Sequence, residues 1–122
     1  MKDEKILQDE LLSDEELENV SGGGRVQTSY DSYFLKRLGY MDETYETLIG
    51  TWVSGSKAID AGWAKVGITS VTHYSDWNEY FDKDTGNKLS RREAYTLALK
   101  RRGFNDIAIK DFNFDKYGNF GD

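Results

Sequence analysis

Three consecutive glycines, Gly22 to Gly24, divide this chain of 122 residues into two segments of different chemistry. No other feature limits the fold as much. Glycine lacks a Cβ, gives up more backbone freedom on folding than any other residue, and ends helices far more readily than it continues them. The break also falls on a charge boundary. Residues 1–23 hold Lys2 and Lys5 against Asp3, Glu4, Asp9, Glu10, Asp14, Glu15, Glu16 and Glu18, a balance of −6, whereas the remainder carries fourteen basic and fourteen acidic side chains. Such asymmetry points to a tail with its own task. The neutral remainder gives no reason to expect nucleic-acid binding.

The length suits one small domain. No apolar run approaches the roughly 20 residues needed to span a bilayer. The first residues, M-K-D-E-K-I-L-Q-D-E-L-L, are charged throughout, unlike a Sec-type signal with its basic start and apolar stretch. Cysteine is absent, which excludes disulfides, thioether rings and thiol catalysis. Proline is absent as well, so no rigid linker marks a boundary. Aromatic side chains make up 14% of the chain, which argues against wholesale disorder.

Within the acidic segment, Ser13 and Glu16 form an S-x-x-E capping box that favours a helix from Asp14. Its acids occupy the first turn, where the helix dipole favours them. Leu17 and Val20 share a face, and the glycines then end the helix and leave an unencumbered backbone. An isolated helix this short is marginal in water, and its acids would be costly to bury unpaired. Residues 1–23 are therefore expected to lie outside the folded core.

The spaced set Leu12-Ser13-x-x-Glu16-Leu17-x-x-Val20-x-Gly22-Gly23 resembles the double-glycine leader of bacteriocin and related secreted peptide precursors. The likeness covers about the first fifth of the chain and matches that leader's pattern at every position. It implies recognition and cleavage by the papain-like peptidase domain of a dedicated ABC exporter. On this likeness Leu12, Leu17 and Val20 fill hydrophobic recesses of the peptidase, Glu16 completes the recognition set, and Gly22 and Gly23 occupy a cleft too narrow for side chains. Three glycines permit a cut after Gly23 or after Gly24, and the spacing from Val20 favours Gly23. The division is then a leader, residues 1–23, and a mature secreted domain, residues 24–122, with the precursor cytoplasmic and the product extracellular.

The mature part reads as α+β: helical segments in its first half, then hairpin, helix and one or two further strands, all behind a flexible leader carrying a short helix. Tyr30, Phe34, Leu35 and Leu38 recur at helical spacing, and Gly39 suits a helix end. Residues 48–68 are rich in small residues. Ser54, Ala58 and Gly62 form a small-xxx-small ladder, while Ile59, Trp63 and Val66 form a core face. Lys57, Asp60 and Lys65 oppose membrane spanning, each costing roughly 2.5–3.5 kcal/mol at a bilayer centre. I-T-S-V-T-H-Y and N-E-Y-F-D-K-D-T-G-N-K-L predict a strand and a hairpin turning at Thr85–Asn87. Ser90 and Glu93 predict a second capping box, opening a helix that ends before Gly103. I-A-I-K-D-F-N-F alternates with period two and predicts a further strand.

Candidate chemistry is sparse. D-K-D-T-G-N-K-L-S-R-R-E partly fits a calcium-binding loop through Asp82, Asp84 and Glu93, with Leu89 as its core residue, but Gly86 and Asn87 break the pattern. The capping box already accounts for Glu93, and the expectation is no metal and no cofactor. His73 is the only histidine, with Tyr74, Asp76 and Trp77 as neighbours to orient it, and a lone histidine in an aromatic strand is usually structural. An enzyme is the least favoured class. The expected function is a secreted bacteriocin-like protein that acts on membranes or envelope targets of nearby bacteria. Its zero charge balance weighs against simple attraction to anionic lipids, which leaves a membrane or envelope receptor or a partner peptide as the route to a target. An immunity protein is the partner expected in the producing cell. The alternatives are a secreted non-toxic binding or signalling domain using the same exporter, and a precursor whose core is enzymatically modified.

Overall fold

A computed structural model of the chain describes residues 24–46, 48, 50–118 and 120. The expected leader, residues 1–23, lies outside this set. The described part is α+β: helices packed on a three-stranded antiparallel sheet.

The first helix, α1, spans Gly24–Arg37 and so starts well ahead of Tyr30, at the last of the three glycines. Tertiary contacts make this possible, because the backbone N–H groups of its first turn find acceptors elsewhere in the fold. Gly24 donates to the Asp76 carbonyl and Arg25 to the Tyr74 carbonyl at 2.9 Å. Phe34, Leu35 and Leu38 enter the core as their spacing predicts. The polar face of α1 is buried too: Gln27, Thr28, Asp31 and Ser32 are all closed to solvent. Ser29 donates to the Tyr45 and Glu46 carbonyls, and Tyr45 N–H donates to Ser32 Oγ at 2.9 Å, which ties the following loop onto the helix.

Helix α2, Trp52–Lys65, lies against α1 and the first strand. Ile59 and Trp63 are fully buried and Val66 nearly so, as read from the sequence. Its close-approach positions differ from the expected ladder. Ser54 is exposed and Ala58 only half-buried, whereas Gly55 and Gly62, seven apart, meet neighbouring side chains. A Cβ on Gly62 would lie 2.9 Å from Met41 Cγ and 3.1 Å from Leu35 Cδ1, and one on Gly55 would press into Leu48 and Tyr45.

Strand β1, Ile68–Val71, pairs with β2, Glu79–Asp82, and β2 pairs with β3, Lys88–Leu89. The registers set Ile68 opposite Asp82 and Tyr80 opposite Leu89. The turn after β2 uses Gly86 at φ 78, with Asp84 N–H donating to Asp82 Oδ1 at 2.9 Å. Helix α3, Arg91–Arg102, opens on the expected capping box. Glu93 N–H donates to Ser90 Oγ at 3.0 Å, Ser90 N–H donates to Glu93 Oε1 at 2.7 Å, and Gly103 closes the helix at φ 108.

The strand expected from I-A-I-K-D-F-N-F is not one. Residues Asp106–Lys110 form a short helix, α4, and Phe114–Tyr117 a 3-10 turn. Asn105 decides the first part, since its side chain accepts from Ala108 N–H at 2.8 Å as a helix N-cap. Aromatic packing decides the second. Phe112 stacks on Tyr117 at 5.6 Å, and Phe34 stacks on Tyr95 at 3.8 Å. Phe112 and Tyr117 both meet the Phe34 edge, so the chain folds back over the core instead of extending a sheet.

A charged group sits at the centre of this packing. Asp31 on α1 is fully buried, and Arg91 at the start of α3 is 4% exposed. Arg91 Nε and Nη2 donate to Asp31 Oδ1 at 3.0 and 2.7 Å, and Nη2 also donates to the Tyr117 carbonyl at 2.9 Å. Tyr95 Oη donates to Asp31 Oδ1 at 2.6 Å and Tyr80 Oη to Asp31 Oδ2 at 2.5 Å. The guanidinium lies over the Phe120 ring at 4.3 Å. Burial alone would favour a neutral guanidine, but the Asp31 carboxylate keeps Arg91 firmly charged. Burial, with the Asp31 charge, pushes both tyrosine hydroxyls well above their ordinary range. Four groups from α1, β2 and α3 thus share one satisfied ionic cluster, the condition under which buried charge is tolerated.

Candidate functional site

The cleavage site expected at Gly22–Gly24 is the site to which the sequence points most directly, and Gly24 is its described residue. The loop between β1 and β2, residues 72–78, forms a seat for it. Asn78 shapes this loop: its Oδ1 accepts from His73 N–H at 2.9 Å, its N–H donates to Gln27 Oε1 at 2.9 Å, and its Nδ2 donates to Thr28 Oγ1 at 2.7 Å. The Asp76 and Tyr74 carbonyls then receive the Gly24 and Arg25 N–H groups. The Arg25 guanidinium lies 4.9 Å above the Tyr74 ring, which in turn meets Trp52 edge-on at 5.5 Å.

Gly24 itself has little freedom in this seat. Its φ is +64, a region where L side chains are strained, and a Cβ there would run into the Tyr74 carbonyl oxygen and lie 3.0 Å from Ser75 Cα. The third glycine is therefore required by the fold of the domain. Gly22 and Gly23, with Leu12, Glu16, Leu17 and Val20, lie outside the described residues.

Other candidate residues are placed as follows. His73 Nε2 lies 3.1 Å from Glu79 Oε2, with both side chains about one-third exposed. Its partner is a carboxylate on β2 instead of the Tyr74, Asp76 or Trp77 that sequence proximity suggested. Asp82 and Asp84 lie 3.7 and 3.4 Å from Arg101 Nη2, while Glu93 serves the cap of α3. These three carboxylates do not converge, and among the described residues no group of three or more acids or histidines is placed to hold a metal ion. Asp82, Leu89, Arg92, Glu93, Leu97 and Lys100 instead help to line a shallow groove of about 470 Å³.

The small-residue segment contributes Ile59, Trp63 and Val66 to the core. No helix among the described residues is long and apolar enough to cross a membrane. Asp60 of α2 accepts hydroxyl bonds from Ser70 at 2.5 Å and Thr72 at 3.3 Å. Its burial still holds the carboxyl above the usual aspartate range. Large apolar side chains do reach solvent near the Gly24 seat, with Tyr74 45% and Trp77 49% exposed.

Sequence reasoning missed the ionic cluster and the seat, both of which join residues about fifty or more positions apart. One hint stands in the sequence: Asp31 lies on the same face of the helix as Phe34 and Leu35, which the spacing assigns to the core. Compared with models of known protein families, with curated proteins and with solved structures, the chain matches none.

Proposed function

We propose that the chain is the precursor of a secreted bacteriocin-like protein, cut after Gly23 and exported by a peptidase-containing ABC transporter. One observation carries this reading: Leu12, Ser13, Glu16, Leu17, Val20, Gly22 and Gly23 keep the spacing of a double-glycine leader within an acidic segment that accounts for the whole net charge of −6. In this reading the leader binds the exporter peptidase, and the part from Gly24 onward acts outside the cell without being an enzyme, through an envelope receptor or partner peptide on target bacteria.

The experiment is co-expression of the precursor with a double-glycine exporter and measurement of cleaved product in the medium. Gly23→Val is expected to stop processing by placing a branched side chain in the narrow cleft. Leu17→Ala is expected to weaken it, since a fully buried leucine side chain is worth roughly 1.5–3 kcal/mol. Undiminished cleavage of both variants would contradict the proposal.

A second reading, a secreted binding or signalling domain on the same export route, is favoured by the full burial of Ile59 and Trp63. A membrane-inserting α2 would have to expose both. Applying the secreted product to related Gram-positive cells separates the two: growth arrest or loss of membrane potential supports the toxin, and no effect on a broad panel supports the binding domain.

A further inference from the structure

We infer that the folded domain shields its own processing site, so that the exporter peptidase cuts the precursor only while the first turn of α1 is undocked. The inference rests on the proposed leader, but its observations concern Gly24 and the residues after it. A cysteine peptidase reads its substrate as extended chain on both sides of the bond it cuts, with backbone hydrogen bonds to the cleft. Here the residue that follows the bond is already turned away from an extended conformation and leads into α1. Gly24 has φ +64, and its N–H is taken by the Asp76 carbonyl, as the next is by the Tyr74 carbonyl.

The residues that a cleft would hold beyond the cut are buried as well. Gly24, Arg25, Gln27, Thr28 and Ser29 are all closed to solvent. Asn78 bolts this turn to the sheet through Gln27 and Thr28. A rigid helix turn packed against a loop cannot be drawn straight into a narrow cleft. Cleavage then draws on the fraction of molecules in which the turn has opened locally. Folding after release would lock the first helix in place, and folding too early inside the cell would slow both maturation and export. The device couples processing to the folding state of the cargo.

The test uses the isolated peptidase domain of a double-glycine exporter as probe. Its substrates are the folded full-length chain, a synthetic peptide of residues 1–33, and the full-length Asn78→Ala variant. The expected result is cleavage of the peptide, with cleavage of the folded chain about ten- to a hundredfold slower, a range set by breaking two or more backbone hydrogen bonds to open the turn. Asn78→Ala should recover much of the rate, and all of it if that variant unfolds. Equal rates for peptide and folded chain would overturn the inference while leaving the leader assignment intact. An uncut peptide would instead reject the leader assignment. Amide exchange at Gly24 and Arg25 in the full-length chain then decides whether the turn is docked: protection above unfolded rates upholds the shield, and unprotected exchange overturns it.

Discussion

Gly24 and its two predecessors look alike in the sequence but meet different physical demands. Gly22 and Gly23 fit the leader pattern, whereas Gly24 is fixed by φ +64 and by the Tyr74 carbonyl. Gly24→Ala is therefore expected to destabilise the full-length protein by about 1–2 kcal/mol or more, and Gly23→Val to leave its denaturation midpoint unchanged. Urea unfolding of the two variants checks this, and equal midpoint losses would contradict the division of labour. The ionic cluster makes a second prediction at the same scale. Tyr80 and Tyr95 resist ionisation in the fold, while in the unfolded chain tyrosine ionises near pH 10.0. Above that pH the unfolded chain gives up protons that the folded chain keeps, so their contribution is complete below pH 10 and falls as pH rises further. Tyr80→Phe removes one of the two resisting hydroxyls and should flatten the alkaline loss. It should also cost about 1.5–3 kcal/mol at neutral pH, because Asp31 Oδ2 loses its hydroxyl donor. Stability measured between pH 7 and 11 reads both effects.

Among the elements, those bounded by local chemistry were legible and those bounded by distant contacts were not. The Ser90–Glu93 box, the Gly103 cap and the Thr85–Asn87 turn each depend on residues within a few positions, and each formed as read. The N-terminal extension of α1 depends on a loop fifty residues away, which no local rule reports. The missing last strand shows the same limit from the other side. Within residues 107–114, Phe112 meets Phe34 and Phe114 meets Tyr95 while Ile107 stays exposed, and the Asn105 cap outweighs the period-two pattern. The small-residue ladder of α2 holds at Gly62 but not at Ser54 or Ala58, because packing selects Gly62 and Gly55. Gly62→Val is expected to cost about 1–3 kcal/mol by overpacking against Met41 and Leu35. Ser54→Val at the exposed step of the supposed ladder should cost little. Thermal unfolding of both variants tests the assignment, and equal losses would restore the ladder.

At the scale of the whole molecule, charge and packing divide the work between the two segments. The chain's net charge of −6 lies in residues 1–23, and the described domain closes its core around one neutralised Asp31–Arg91 pair. The aromatic residues explain how a domain without cysteine or proline holds together, with rings from α1, α2, α3 and the C-terminal turn in mutual contact. That closure weighs on the mode of action, since a membrane role for α2 requires the core to open. The α+β class was readable because helical and strand periods alternate along residues 24–103. The proposed function rests on the leader-like spacing of Leu12 to Gly23, while the buried Asp31–Arg91 cluster of the described domain explains its packing. The proposed cut between Gly23 and Gly24 separates the two segments. Mass spectrometry of the protein secreted by the producing cell tests it most directly. The predicted result is one species whose first residue is Gly24, and an extracellular protein that still carries the residues ahead of Gly24 would contradict it.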